Sequence, residues 1–161
     1  MTNAQEKNHA LDNAASWMQS ISAMVSALDV DFDRLESLQT DKDNGMLASE
    51  DEDEYNGLKQ SANEFTSEEE ASERIQESPL CVQVREGWKN PGEESEPEEF
   101  SILLTTGGPA LRIIGDLGRY GSPESPRLQY QDWGTYWTDF DTTSEQDEDL
   151  NTFCQRFYFG E

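Results

Sequence analysis

The sequence predicts an α+β fold: N-terminal helices, an antiparallel sheet of about four strands, and a C-terminal helix packed on one face. Three observations predict it. Apolar residues recur at spacings of three and four through residues 1–77. Two apolar runs, Ile102–Leu104 and Leu111–Ile114, flank the turn cluster Thr105-Thr106-Gly107-Gly108-Pro109. A last amphipathic stretch closes the chain after residue 144. The division that follows is an acidic helical region over 1–66 and an α+β domain over 67–161, organised around the hairpin.

In Met1–Leu28, Leu11, Ala14, Ala15, Met18, Ile21, Val25 and Leu28 make a helical stripe, widened by Trp17 and Met24. Its use is packing on the domain or on a second copy, so a homodimer is among the expectations. A short helix is expected over Asp33–Gln39, with Phe32, Leu35 and Leu38 on one side and Asp31 as its N-cap. Asp41–Gly45 reads as a turn. The five consecutive acids Glu50–Glu54 read as a solvated, mobile block. Tyr55, Leu58, Ala62 and Phe65 share a helical face. Thr66-Ser67-Glu68-Glu69 has the capping-box pattern, with Thr66 as the cap and Glu69 reaching back. It starts a helix to Glu77, which Ser78-Pro79 stops.

Leu80–Arg85 alternates apolar and polar residues, as in a strand with one buried face. Residues 87–97 form a loop. The hairpin follows over Glu99–Leu117; its glycines supply positive φ and Pro109 offers no ladder donor. Residues 118–126 are rich in Gly, Ser and Pro and read as another loop. A strand is expected to about Asp132, then an aromatic continuation through Trp133, Tyr136, Trp137 and Phe140. The closing helix is expected over Glu145–Phe159, with Leu150, Phe153, Cys154, Phe157 and Tyr158 on one side.

Charge is the functional clue. The 161 residues hold 35 acids against 11 Lys and Arg, a formal charge of −24. Solubility of a small domain asks for a magnitude of only about 2–8. The excess destabilises a compact chain by self-repulsion, repels nucleic acid and anionic membrane, and attracts basic surfaces. The commonest strongly basic surfaces are those built for nucleic-acid phosphates. Such a charge also marks disordered chains, but four Trp, five Tyr and seven Phe offer enough area for a core. Cys81 and Cys154 are expected as free thiols. With no basic start followed by an apolar region, and no apolar run near 18 residues, the expectation is a cytoplasmic protein.

Catalysis finds little support, and the expectation is a protein that is not an enzyme. His9 is the one histidine and has no Ser or Cys motif around it. The calcium-loop spacing at Asp29 has Arg34 and Thr40 where Gly and Glu are required, and that at Asp41 has Glu52 at the twelfth place but Gly45 and Met46 off by one. No metal, no cofactor and no phosphate loop is expected. Duplex DNA carries one charge per about 1.7 Å of axis, so about 15–20 ordered carboxylates imitate roughly ten base pairs of it. The candidate partner-binding acids are Asp51, Glu52, Asp53 and Glu54; Glu68, Glu69 and Glu70; Glu93, Glu94, Glu96, Glu98 and Glu99; and Asp147, Glu148 and Asp149. The expected partner is a basic nucleic-acid-binding host protein or complex, with no direct nucleic-acid binding and no membrane. The alternative is an acidic interaction module that binds a basic host protein without blocking DNA, anchored by Trp133, Tyr136 and Trp137.

Residues 75–160 carry the strings Ser78-Pro79-Leu80, Val84–Trp88, Leu104–Ala110, Leu128–Thr135 and Phe157–Gly160. In these the chain resembles a recurrent small domain of phage, prophage and mobile-element proteins, a likeness that brings no assigned chemistry. By size and charge it is also similar to the acidic DNA mimics that block restriction enzymes or CRISPR complexes, without a shared motif. Together the two likenesses imply a counter-defence protein acting inside a host cell.

Overall fold

The computed structural model describes residues 2–107 and 109–160, with side chains from residue 9 onward. Met1 and Gly108, which belong to the first helix and to the central turn in the sequence reading, lie outside the described residues. The chain is α+β, as the pattern predicts. Five helices, α1 (Thr2–Leu28), α2 (Phe32–Asp43), α3 (Glu52–Ala62), α4 (Glu68–Glu77) and α5 (Ser144–Cys154), accompany one antiparallel sheet. Its strands are β1 (Cys81–Glu86), β2 (Pro97–Thr105), β3 (Ala110–Leu117), β4 (Pro123–Gln131) and the short β5 (Thr138–Asp139), in the order 1-2-3-4-5.

The sheet buries one face. Phe100, Ile102 and Leu104 of β2, Leu111 and Ile113 of β3, and Leu128 and Tyr130 of β4 alternate inward and are buried. Helix α1 lies against them through Ala10, Ala14, Met18, Ile21, Val25 and Leu28, a three-and-four stripe. It also contacts α4 and α5, while α5 contacts β4. Ala71 and Ile75 of α4, Leu150, Phe153 and Cys154 of α5, and Phe159 complete the same cluster. The core therefore runs from Ala10 to Phe159, across both sides of residue 66. The ring of Phe159 packs on Phe100, centroids 4.7 Å apart, and so ties the chain end to the sheet.

Helices α2 and α3 form a satellite with its own small core. Leu38, Tyr55 and Ala62 are buried there, outside the main cluster. The Lys42 ammonium stands 4.7 Å from the Tyr55 ring centre, and the Tyr55 hydroxyl donates to Gln39. Arg34 of α2 clamps the start of α3, with Nε donating to Glu54 at 2.9 Å and Nη2 lying 3.6 Å from Asp51.

Five local expectations are corrected. The alternation in β1 does not bury a face: Val82 and Val84 pair with Ile102 and Phe100 on the inner side but are 38% and 44% exposed, because the helices stop short of this edge. The capping residues are shifted by one. Ser67, not Thr66, is the N-cap and accepts from the Glu70 amide, while the Glu70 carboxylate, not that of Glu69, reaches back to the Thr66 amide at 2.9 Å. The acidic block has regular structure: Ser49–Asp51 is a 3-10 turn and Glu52–Glu54 the first turn of α3, where carboxylates suit the helix dipole. The loop over 118–126 ends early, since β4 begins at Pro123. Helix α5 ends at Cys154, so Phe157 and Phe159 pack from an irregular segment and Tyr158 points to solvent.

Candidate acidic interface

The acids stand where the fold presents them to water. Helix α2 turns Leu38 inward and leaves Asp33, Glu36 and Asp41 on its polar side, at spacings of three and five. At about 1.5 Å rise per residue, Asp33 to Asp41 spans about 12 Å. Three charges over that length are spaced about 6 Å apart on average, roughly half the density of one DNA strand, one per about 3.4 Å. Asp31, Asp33, Glu36, Glu64, Glu68 and Glu69 line one groove of about 810 Å³ between α2 and the α3–α4 connection. Among the described residues its lining cation is Lys59, and Phe32, Leu35 and Phe65 supply apolar lining. Two acid-bearing walls thus stand on either side of a partly apolar groove.

The candidate acids divide by what already holds them. Asp51 and Glu54 are paired with Arg34, and that hydrogen bond and charge hold the Glu54 carboxyl below its ordinary value. Glu70 is committed to capping: the Thr66 amide, then the Thr66 hydroxyl, hold its carboxyl below the ordinary value. Asn90 does the same to Glu93, through its side chain and then its amide. Glu99 pairs with Arg85 across the β1–β2 ladder. Asp147 accepts from the Thr142 hydroxyl.

Among the described residues the ion pairs engage Asp51, Glu54, Glu64, Glu86 and Glu99. Glu52, Asp53, Glu68, Glu69, Glu94, Glu96, Glu98, Glu148 and Asp149 pair with no cation there. The structure brings Glu68 and Glu69 together with α2. It leaves Asp51–Glu54 at the start of α3, Glu93–Glu99 on the β1–β2 connection and β2, and Asp147–Glu148 at the start of α5. Asp149 lines a separate recess of about 640 Å³ with Asp29 and Glu145, between α1 and α5.

Asp31, Asp33, Glu36 and Glu64 are groove-lining acids that sequence reasoning did not single out; Asp31 caps α2 through the Arg34 amide and Glu64 pairs with Arg74 at 3.4 Å. They are scattered singly and not in runs. For Asp33 and Glu36 the available signal was their place on α2 away from the buried Leu38; Asp31 precedes α2 and Glu64 lies on the α3–α4 connection.

The aromatic anchors of the alternative reading lie on the β4–β5 connection. Trp133 and Tyr136 are 75% and 94% exposed, and Trp137 packs against Arg112. Cys81 and Cys154 are free, and burial pushes the Cys154 thiol up. No group of three or more His, Cys, Asp or Glu among the described residues is placed to hold a metal ion. No described helix is long and apolar enough to cross a membrane. No family model, curated protein or solved structure matches this chain.

Proposed function

We propose that this is a counter-defence protein of a phage or mobile element, acting as a DNA mimic that occupies the DNA-binding site of a host CRISPR or restriction complex. The observation that carries the reading is the groove between α2 and α4. Its walls bear Asp31, Asp33, Glu36, Glu64, Glu68 and Glu69, with Lys59 the lining cation among the described residues. On the α2 wall Asp33 and Glu36 follow each other at about 4.5 Å along the helix axis, against about 3.4 Å per charge on a DNA strand. A basic protein surface that leaves its phosphate contacts for this groove exchanges one polyanion for another. The net charge of −24 speeds that encounter, and salt slows it.

The test is competition. The protein is used to capture its partner from host lysate, and labelled duplex DNA is then titrated against it on the purified partner. A mimic and DNA exclude each other. A stable ternary complex of partner, DNA and this protein supports the alternative module. The exposure of Trp133 and Tyr136 favours that second reading, since large aromatic side chains in water are common anchors of protein interfaces.

A further inference from the structure

The outer face of the sheet mixes charges, with Glu99, Asp116 and Asp139 beside three arginines, unlike the acid-dominated remainder of the chain. Three of the chain's 11 basic residues meet there: Arg85 of β1, Arg112 of β3 and Arg127 of β4. The register fixes the arrangement. Ser101 pairs with Ile114 and Ile114 with Arg127, which makes Ser101 and Ile114 the floor. Arg112 stands one outward position along β3, and Arg85 one outward position beyond Gln83, the partner of Ser101. These residues line an open recess of about 580 Å³. Glu99, already paired with Arg85, and Asp116 close one side of it.

Arg112 is the centre of the recess and is pre-positioned. Its Nε donates to Gln129 Oε1 at 2.9 Å, and Gln129 Nε2 donates on to Asp139 at 2.7 Å. The Trp137 ring lies against its guanidinium, 4.1 Å from ring centre to Cζ. No carboxylate lies within ion-pair distance of Arg112 or Arg127 among the described residues. Burial first, then the charges of Arg127 and Arg85, hold Arg112 below its ordinary pKa. Three guanidiniums share the recess with two carboxylates, Glu99 on Arg85 and Asp116, and neither carboxylate pairs with Arg112 or Arg127 among the described residues. An anion entering the recess would meet two guanidiniums that no carboxylate engages.

We propose that the outer sheet face is a binding site for a small phosphate ester, held by Arg85, Arg112 and Arg127 over the Ser101–Ile114 floor. A phosphate monoester offers three oxygens to three guanidinium forks, which a single carboxylate does not. The recess has the volume of a small-molecule site, about 300–1,000 Å³. A compact ligand is favoured over a nucleic-acid strand. Beyond roughly one Debye length, about 8 Å at physiological salt, a strand leaves the arginines for an acidic surround. The site lies on the sheet, away from the α2–α4 groove, and stands whether or not the mimic reading does.

The test titrates inorganic phosphate, adenosine monophosphate, a short single-stranded oligonucleotide and an acidic peptide with the sequence of residues 49–54 into the ¹⁵N-labelled full chain. The expected result is saturable shifts at Ser101, Arg112, Ile114 and Arg127 with phosphate and the monophosphate. Arg112→Gln and Arg127→Gln should each weaken the monophosphate at least about tenfold, the loss of one charge-assisted contact. Arg119→Gln, outside the recess, should leave it unchanged, and the amide spectrum of each variant reports its folding. No shift with either phosphate probe overturns the proposal. So do tighter binding of the peptide, which assigns the face to an acidic protein, and tighter binding of the oligonucleotide, which assigns it to a strand.

Discussion

Adding one methyl group at Gly115 should destabilise the fold, and the structure gives the size of the effect. Gly115 pairs with Phe100 on the buried side of the sheet, where the β3–β4 register shifts between Ile114 and Asp116. A Cβ there would sit 2.7 Å from the Phe100 ring and 2.8 Å from the Glu124 carbonyl oxygen. Ordinary carbon contacts lie at about 3.5–4.0 Å, so the neighbours must yield roughly 1 Å. Neither yields freely. Phe100 is wedged against Phe159, and Glu124 is held in the β4 ladder. Overpacking of this kind costs about 1–3 kcal/mol. For a chain of this length that lowers Tm by roughly 2–4 °C per kcal/mol, or about 4–8 °C at the middle of the range. Gly57 is the internal control. It lies on the exposed side of α3 with nothing within 4 Å of a built Cβ. Gly57→Ala should therefore stabilise, by up to about 1 kcal/mol. Thermal and urea unfolding of both variants measure the pair. Equal shifts of the same sign, or a Gly115→Ala protein as stable as the parent, would refute the packing described for this face.

Three further outcomes follow from the same structure. Replacing Asp33, Glu36 and Glu69 together by Lys should abolish displacement of DNA from the captured partner while leaving the unfolding midpoint near that of the parent, because all three are exposed. The same change at Glu94, Glu96 and Glu98, away from the groove, should do far less. Phe159→Ala removes a buried ring at the chain end and should cost about 3 kcal/mol, read by urea unfolding. Glu70 is held below its ordinary pKa by Thr66, so its cap contributes stability above the unfolded-state carboxylate range. That contribution disappears as pH falls through the lowered folded value. The Thr66 amide resonance should report a midpoint below 4.5, the ordinary glutamate value, and Glu70→Gln should remove the titration.

The hairpin β2–β3 was legible because two apolar runs around a Gly-Gly-Pro turn admit few other structures. Helix α1 was legible because its stripe is long. The edge strand β1 was half legible. Its alternation is real, but a sequence does not say how far a helix layer extends, and the layer ends before Val82 and Val84. The first residues of β4 were hidden by Pro123 and Pro126, which look like loop residues and donate no ladder hydrogen bond. The cap of α4 slipped by one because Thr66 and Ser67, and Glu69 and Glu70, are chemically equivalent neighbours. The interface was the least legible feature. Runs of acids draw the eye, yet Asp51, Glu54, Glu70 and Glu99 are occupied with internal partners. The groove takes Glu68 and Glu69 from one such run and the rest from single acids that the α2–α3 satellite and the α4 cap bring across from each other.

A DNA mimic must seat the groove between α2 and α4 where DNA would lie on its partner. Hydrogen exchange of the captured complex, compared with the free protein, tests that directly. The predicted result is slowed exchange over residues 31–41 and 63–70, removed by excess duplex DNA. Slowed exchange confined to residues 132–137, indifferent to DNA, would contradict it.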